Sequence, residues 1–238
     1  MIYNTYMLRT IVLITAGCLS ACGSINTVTE IPHDIYTIPS GKHVVLDTSL
    51  KVSLSGKRLK VDVEQSDSVL YITPITKKKP PFTLPLHDIK RLSLYRYTFD
   101  IDVLTVPFKV RPAVGNFPEQ LNANFSAALY LGRRRDSYSI KTDGAKNSKR
   151  LSISGTGYGY GGFIGIGGVT MNPFVTNQMI DYEYDGFVLS GGLAGIYDAK
   201  KFNLGLALGA DYLVDKNRNK WIYQGKPWLG ILFGINLN

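Results

Sequence analysis

Residues 202–212 read Phe-Asn-Leu-Gly-Leu-Ala-Leu-Gly-Ala-Asp-Tyr. Phe202, Leu204, Leu206, Leu208, Ala210 and Tyr212 share one parity, and Asn203, Gly205, Ala207, Gly209 and Asp211 the other. A period of two is a strand signal, because successive side chains of a strand point to opposite faces. After a polar connection the alternation returns as Leu229, Ile231, Phe233, Ile235 and Leu237 against Gly230, Leu232, Gly234 and Asn236. About ten residues of unbroken alternation exceed an ordinary strand and match a tilted crossing of a bilayer.

The same pattern extends upstream. Tyr95, Tyr97, Phe99, Ile101 and Val103 alternate with Arg96, Thr98, Asp100 and Asp102. At Leu104 the parity changes, and Leu104, Val106, Phe108 and Val110 carry the apolar side, as a β-bulge at that point would produce; the nearby Pro107 fits a rim or edge position. Leu121, Ala123, Phe125, Ala127, Leu129 and Leu131 give the next strand. In 155–167, Gly stands at 155, 157, 159, 161, 165 and 167, opposite Thr156, Tyr158, Tyr160, Ile164 and Ile166. A row of glycines on one face weakens a strand and suits an interior too narrow for side chains. Phe187, Leu189, Leu193 and Tyr197 mark a strand that ends at the turn 198–201.

The expected fold class is all-β: an antiparallel up-and-down β-barrel of about eight strands over residues 91–238, with two of its strands drawn from 41–90. The connections 111–119, 170–185 and 214–227 are long and the turn 198–201 is short, the asymmetry that outer-membrane barrels show between their outer and periplasmic ends. The exception is 135–150, which reads as a long basic connection on the inner side. In this orientation Tyr95, Tyr97, Tyr158, Tyr160, Tyr197 and Phe202 fall at one level as an aromatic girdle.

Ahead of the barrel, 41–90 reads as a small β segment that either sits on the periplasmic side or lends the barrel its missing strands, with short strands at Val44–Leu46, Val52–Leu54, Leu59–Val63 and Val69–Ile72. Lys77-Lys78-Lys79-Pro80-Pro81 interrupts it, since like charges repel and proline cannot donate to a ladder. Residues 22–40 read as a polar tether, and 1–21 as a signal peptide with Arg9 ahead of a short apolar core at Ile11–Gly17. The core runs into Leu19-Ser20-Ala21-Cys22, which resembles the lipobox of bacterial lipoproteins. That resemblance implies cleavage before Cys22, with Cys22 as the site of lipid attachment. The chain has two cysteines, Cys18 and Cys22, so a chain cleaved there holds no internal disulfide. Lipoproteins retained at the inner membrane often carry Asp after this Cys, and surface-exported ones an acidic run; Gly23-Ser24-Ile25-Asn26 has neither. The resemblance implies anchoring at the outer membrane from the periplasmic side.

The barrel region also resembles uncharacterised outer-membrane β-barrel proteins of Gram-negative bacteria, through Tyr97–Asp102, Thr105–Lys109 and Tyr223–Trp228. The resemblance implies a fold and an address, and no activity. Many such barrels end on an aromatic residue, whereas these residues end Ile235-Asn236-Leu237-Asn238.

The net charge of +9 gathers at Lys77–Lys79 and Arg133–Arg135, which suits turns facing anionic lipid head groups better than a nucleic-acid fold. Membrane lipid is the expected partner, and nucleic acid is not. His33, His43 and His87 lie outside the barrel strands, so a wall-mounted His–Ser catalytic pair is not expected, and neither a metal site nor a cofactor is. The glycine run opens no helix after a strand and is no nucleotide loop. The polar residues of the inward face are Arg96, Asp100, Asp102, Asn122, Asn124, Asn203 and Asp211, a candidate lumen network that plugs a narrow barrel. A pore lining or ligand site is the other use of such a set. The expected function is that of a lipid-anchored outer-membrane barrel of structural or interaction type, not an enzyme. The alternative is a soluble periplasmic barrel on a lipid tether that binds an apolar ligand. The two differ in which strand face is apolar: a soluble barrel is apolar inside, a membrane barrel outside.

Overall fold

The computed structural model describes residues 26–39, 44–46, 58–75, 80–143 and 150–235. Cys22, His43, the Val52–Leu54 strand and Lys77–Lys79 lie outside them. The architecture is all-β and antiparallel. Among the described residues, twelve strands run in chain order: β1 Asp34–Ile38, β2 Val44–Leu46, β3 Leu59–Ser66, β4 Val69–Pro74, β5 Phe82–Pro85, β6 Ile89–Arg111, β7 Gln120–Asn122, β8 Ser126–Asp143, β9 Arg150–Met171, β10 Tyr184–Asp198, β11 Phe202–Leu213 and β12 Pro227–Ile235. Two compact units are built from them, and β6, β8 and β9 contribute to both.

The first unit takes its described residues from those up to Tyr95 and from Ser137–Gly155. β1 pairs with β3, β3 with β4 and β4 with β5, while the first part of β6 pairs with β1 and β2. The turn between β3 and β4 carries Asp67 at φ 49°, the left-handed conformation that Asp tolerates better than most residues. Alternation sorts the strands as in any water-facing sheet. Tyr36, Ile38, Val61, Val63, Leu70, Ile72, Leu92 and Leu94 form a buried core, joined by Tyr138 and Ile140 of β8 and Ile153 of β9.

Two sequence expectations change here. The tether does not extend to residue 40, because Asp34–Ile38 is a strand whose Tyr36 and Ile38 enter this core. The connection 135–150 is mostly strand: β8 runs to Asp143 and β9 starts at Arg150. Its basic residues hid the alternation of Tyr138 and Ile140, which are buried.

The second unit takes its described residues from Arg96–Asp136 and from those after Gly155. Its strands run β12-β11-β10-β9-β8-β6, and β12 pairs back onto β6. The ring therefore closes with six strands. The 41–90 strands add none to it: β3, β4 and β5 pair with one another and β1, and β2 with the first part of β6. Closure runs from Leu229 opposite Val110 to Phe233 opposite Thr105.

The closing register contains the bulge. Ile231 faces Phe108 and Phe233 faces Thr105, so β6 spends three residues where β12 spends two. The bulge falls at Val106–Pro107, three residues later than the sequence pattern suggested. Leu104 and Val106 stay inside with Asp100, while Phe108 and Val110 turn out and Lys109 and Arg111 turn in. The sequence pattern misplaced it because Leu104 and Val106 are apolar residues on the inner face.

The glycine row marks the tight curvature of a six-strand ring. A Cβ on Gly161 would stand 2.2 Å from the Leu131 carbonyl oxygen, and one on Gly192 would stand 2.2 Å from that of Leu208. At Gly157 a Cβ would crowd the Asp136 carboxylate at 2.9 Å. Side chains at these positions would push neighbouring strands apart.

Candidate functional site

The lumen of the second unit is filled in three levels. The level nearest the 198–201 turn is charged. Asp136, with a fully buried side chain, accepts from Arg96 Nε at 3.2 Å and Lys200 Nζ at 2.5 Å and forms an ion pair with Arg134, whose Nε lies 3.1 Å away. Arg134 Nη1 reaches Asp100 at 2.8 Å and Asp198 at 3.4 Å, and Lys200 Nζ reaches Asp198 at 2.9 Å. Asn203 Nδ2 donates to Asp102 Oδ2 at 2.9 Å. Three cations thus face four carboxylates, the arrangement that makes buried charge tolerable.

The middle level is apolar. Leu104, Val106, Ala128, Tyr130, Phe163, Ala194, Ile196, Ala207, Trp228 and Leu232 form one buried cluster. Phe163 and Trp228 meet with ring centroids 5.7 Å apart. Trp228 is 1% exposed and Tyr130 fully buried, so side chains fill this level from wall to wall.

The third level is charged again. Asp211 accepts from Lys109 Nζ at 3.1 Å, from Ser190 Oγ at 2.5 Å and from Arg111 Nη2. Arg111 Nε donates to Asn122 Oδ1 at 2.9 Å. Lys109 Nζ also stands 4.7 Å from the centre of the Trp228 ring, and the Arg111 guanidinium 4.9 Å from that of Trp221. These cation–π contacts join the charged level to the aromatic ones beside it. Above it, Val175, Ile180, Trp221 and Tyr223 of the 172–183 and 214–226 connections pack on Val169 and Met171 of β9 and Leu213 of β11 as a cap. Burial raises the Tyr223 phenol above its ordinary pKa, opposed by the Arg111 guanidinium.

All seven polar residues expected in the lumen have a hydrogen-bond partner, though not as one network. Arg96, Asp100, Asp102 and Asn203 join the first level, and Asp211 and Asn122 the third. Asn124 stands apart in a chain from its Nδ2 to Thr170 Oγ1 at 3.2 Å and on to Asp185. The sequence reading missed Lys109, Arg111, Arg134, Asp136, Asp198 and Lys200. For Arg134 and Asp136 the signal is present: they continue the inward parity of Ala128 and Tyr130 past Leu131, where the apolar alternation stops. Among the described residues, no three His, Cys, Asp or Glu side chains are grouped to hold a metal ion.

The outer wall of the ring is apolar. Val103 is 77% exposed, Leu193 69%, Ile164 64% and Leu206 62%, and Leu129, Leu204, Leu208, Leu229 and Ile231 are exposed with them. Two shallow grooves of about 510 and 430 Å³ cross this wall, lined by Val103, Ile164 and Leu189 and by Leu193, Leu206 and Leu229. Tyr97, Tyr158 and Tyr160 are exposed near the 198–201 end; Tyr158 packs on Tyr197 at 5.2 Å and Phe202 on Phe233 at 6.4 Å. Tyr95, expected in the same girdle, belongs to the first unit. No family model matches the chain, and no curated protein or solved structure matches it either.

Proposed function

We propose that this protein is a lipid-anchored outer-membrane β-barrel of structural or interaction type, tethered through Cys22 from the periplasmic side. The observation that carries the reading is the reversed polarity of the six-strand ring, with charge pairs inside and Leu, Ile, Val and Phe outside. In water such a wall is costly, because each fully exposed large apolar side chain forgoes about 1.5–3 kcal/mol of burial. Soluble monomers rarely expose contiguous apolar patches beyond a few hundred Å². In hydrocarbon the same wall is matched, and a closed ring leaves no strand edge unpaired.

The dimensions agree. Phe202 to Tyr212 spans about 33 Å along the strand at the usual rise, and a barrel tilt near 40° reduces that to roughly 25 Å, the height of an outer-membrane apolar band. The filled middle level argues for a plug rather than a conducting pore, which leaves anchoring or interaction as the role.

The second reading, a tethered soluble barrel that carries an apolar ligand, draws on the groove of about 510 Å³ on the outer wall. The test is solubility of the full chain after the lipid is removed. The expected result is that it needs detergent, inserts into phospholipid vesicles and migrates differently on gels before and after boiling. A folded, monodisperse protein without detergent would reject the membrane reading in favour of the second.

A further inference from the structure

On the outer wall of the ring, β8 carries Leu129, Leu131, Arg133 and Arg135 on one parity, all exposed. Arg134, between the two arginines, points into the lumen and is held by Asp100 and Asp136. The change from leucine to arginine therefore happens within one face of one strand. It happens at the level of the tyrosines: a cleft of about 430 Å³ is lined by Arg133 and Arg135, by Tyr97 and Phe99, and by Tyr158 and Tyr160. The Arg135 guanidinium stands 6.0 Å from the centre of the Tyr97 ring.

We infer that this cleft is a binding site for a phospholipid with an anionic head group, resting on the membrane reading above. Arg133 and Arg135 sit two residues apart, about 7 Å along the strand, which lets both guanidinium groups reach one phosphodiester. The tyrosines place a wet hydroxyl and an apolar ring at the boundary where a head group meets its acyl chains. Leu131 and Leu129 continue from the arginines toward the middle of the band, along the path that an acyl chain would follow. A free phosphate would use the arginines alone; a lipid uses both ends of the cleft.

The full chain folded in detergent micelles is titrated with phosphatidylglycerol and, separately, with phosphatidylcholine, and non-covalent adducts are read by native mass spectrometry. Phosphatidylglycerol is expected to bind at least about tenfold more tightly, as two basic groups near a lipid surface imply. The R133Q/R135Q variant should lose that preference, and R133K/R135K should keep part of it, since lysine retains charge without the guanidinium fork. In the parent, the preference should shrink between 0.05 and 0.5 M salt, about the range over which screening sets in. Folding of each variant is read from the gel shift on boiling. Equal affinity of parent and R133Q/R135Q for phosphatidylglycerol would overturn the site, as would a preference unmoved by salt. Soluble glycerol phosphate binding as tightly as the lipid would overturn it too. Those outcomes leave vesicle insertion standing, so a failed site is distinct from a failed membrane reading.

Discussion

Lys109 Nζ lies 3.1 Å from the Asp211 carboxylate, 102 residues away in sequence, and the two side chains are 4% and 0% exposed. β6 and β11 are not neighbours, because β12 stands between them. The pair therefore crosses the lumen and ties together strands that share no ladder. It exists because the Val106–Pro107 bulge turns Lys109 inward.

Asp211→Asn should be strongly destabilising. It removes the carboxylate shared by Lys109 and Arg111 and leaves two cations in a closed space, at a cost of about 3–5 kcal/mol. The midpoint of urea unfolding in detergent, read by the gel shift, should fall accordingly. The triple variant Lys109→Met, Arg111→Met, Asp211→Leu removes every charge together and should recover most of the loss. An unchanged midpoint for Asp211→Asn would mean that water reaches this level.

Leu206 and Ala207 separate the two faces of one strand, at 62% and 1% exposure. Leu206→Arg should block assembly, at roughly 2–4 kcal/mol for a cation at mid-bilayer. Leu206→Gln keeps bulk without charge and should restore part of it. Ala207→Arg should fail through volume, since Gly205 and Gly209 flank it where the lumen is tight. Ala207→Ser should be nearly silent. Gel shift and vesicle insertion measure all four, and normal insertion of Leu206→Arg would take this strand out of the membrane.

Deleting Pro107 should be tolerated. Thr105 and Phe108 both face outward, and one residue fewer between them restores the two-for-two register with β12 while Lys109 and Arg111 stay inside. Deleting Ile101 inverts one part of β6 against the rest and should abolish the folded band. Equal behaviour of the two deletions would show that the phase of this strand does not matter.

Cys22→Ser tests the anchor proposed from Leu19–Cys22. The variant should fail to incorporate labelled fatty acid and should accumulate with its leader attached. Normal label and processing would move the attachment to Cys18 or remove it.

The strands of the barrel were legible because alternation survives on both faces: Leu204, Leu206 and Leu208 outside, Asn203 and Asp211 inside. What stayed hidden had physical causes. Leu104 and Val106 are apolar on the inner face, so hydropathy alone placed the bulge too early. Arg133–Arg135 read as a solvated run, yet strand geometry sends Arg134 to the lumen and its neighbours outward. Lys109 meets Asp211, and Arg134 meets Asp198, only once the strands are set in a ring, and single-strand periodicity carries no information about such partners. The six-strand count was hidden for the same reason: 41–90 holds good strands, but Val61 and Ile72 bury against Tyr36 and Leu92 in the first unit.

The closing contact between β6 and β12 has a consequence for how the chain matures. Thr105 Oγ1 donates to the Phe233 carbonyl at 3.0 Å across 128 residues of sequence. Until the final strand is available, β6 and β11 each present an open row of amide and carbonyl groups that hydrocarbon cannot satisfy. Contacts this distant carry a large loop-closure cost and form late. On the membrane reading proposed above, a nascent chain emerging residue by residue cannot enter the bilayer strand by strand on its own. It would have to be kept unfolded, delivered whole, and sealed in one concerted event, so a chain that stops before Pro227 would be a candidate for degradation rather than for a smaller barrel.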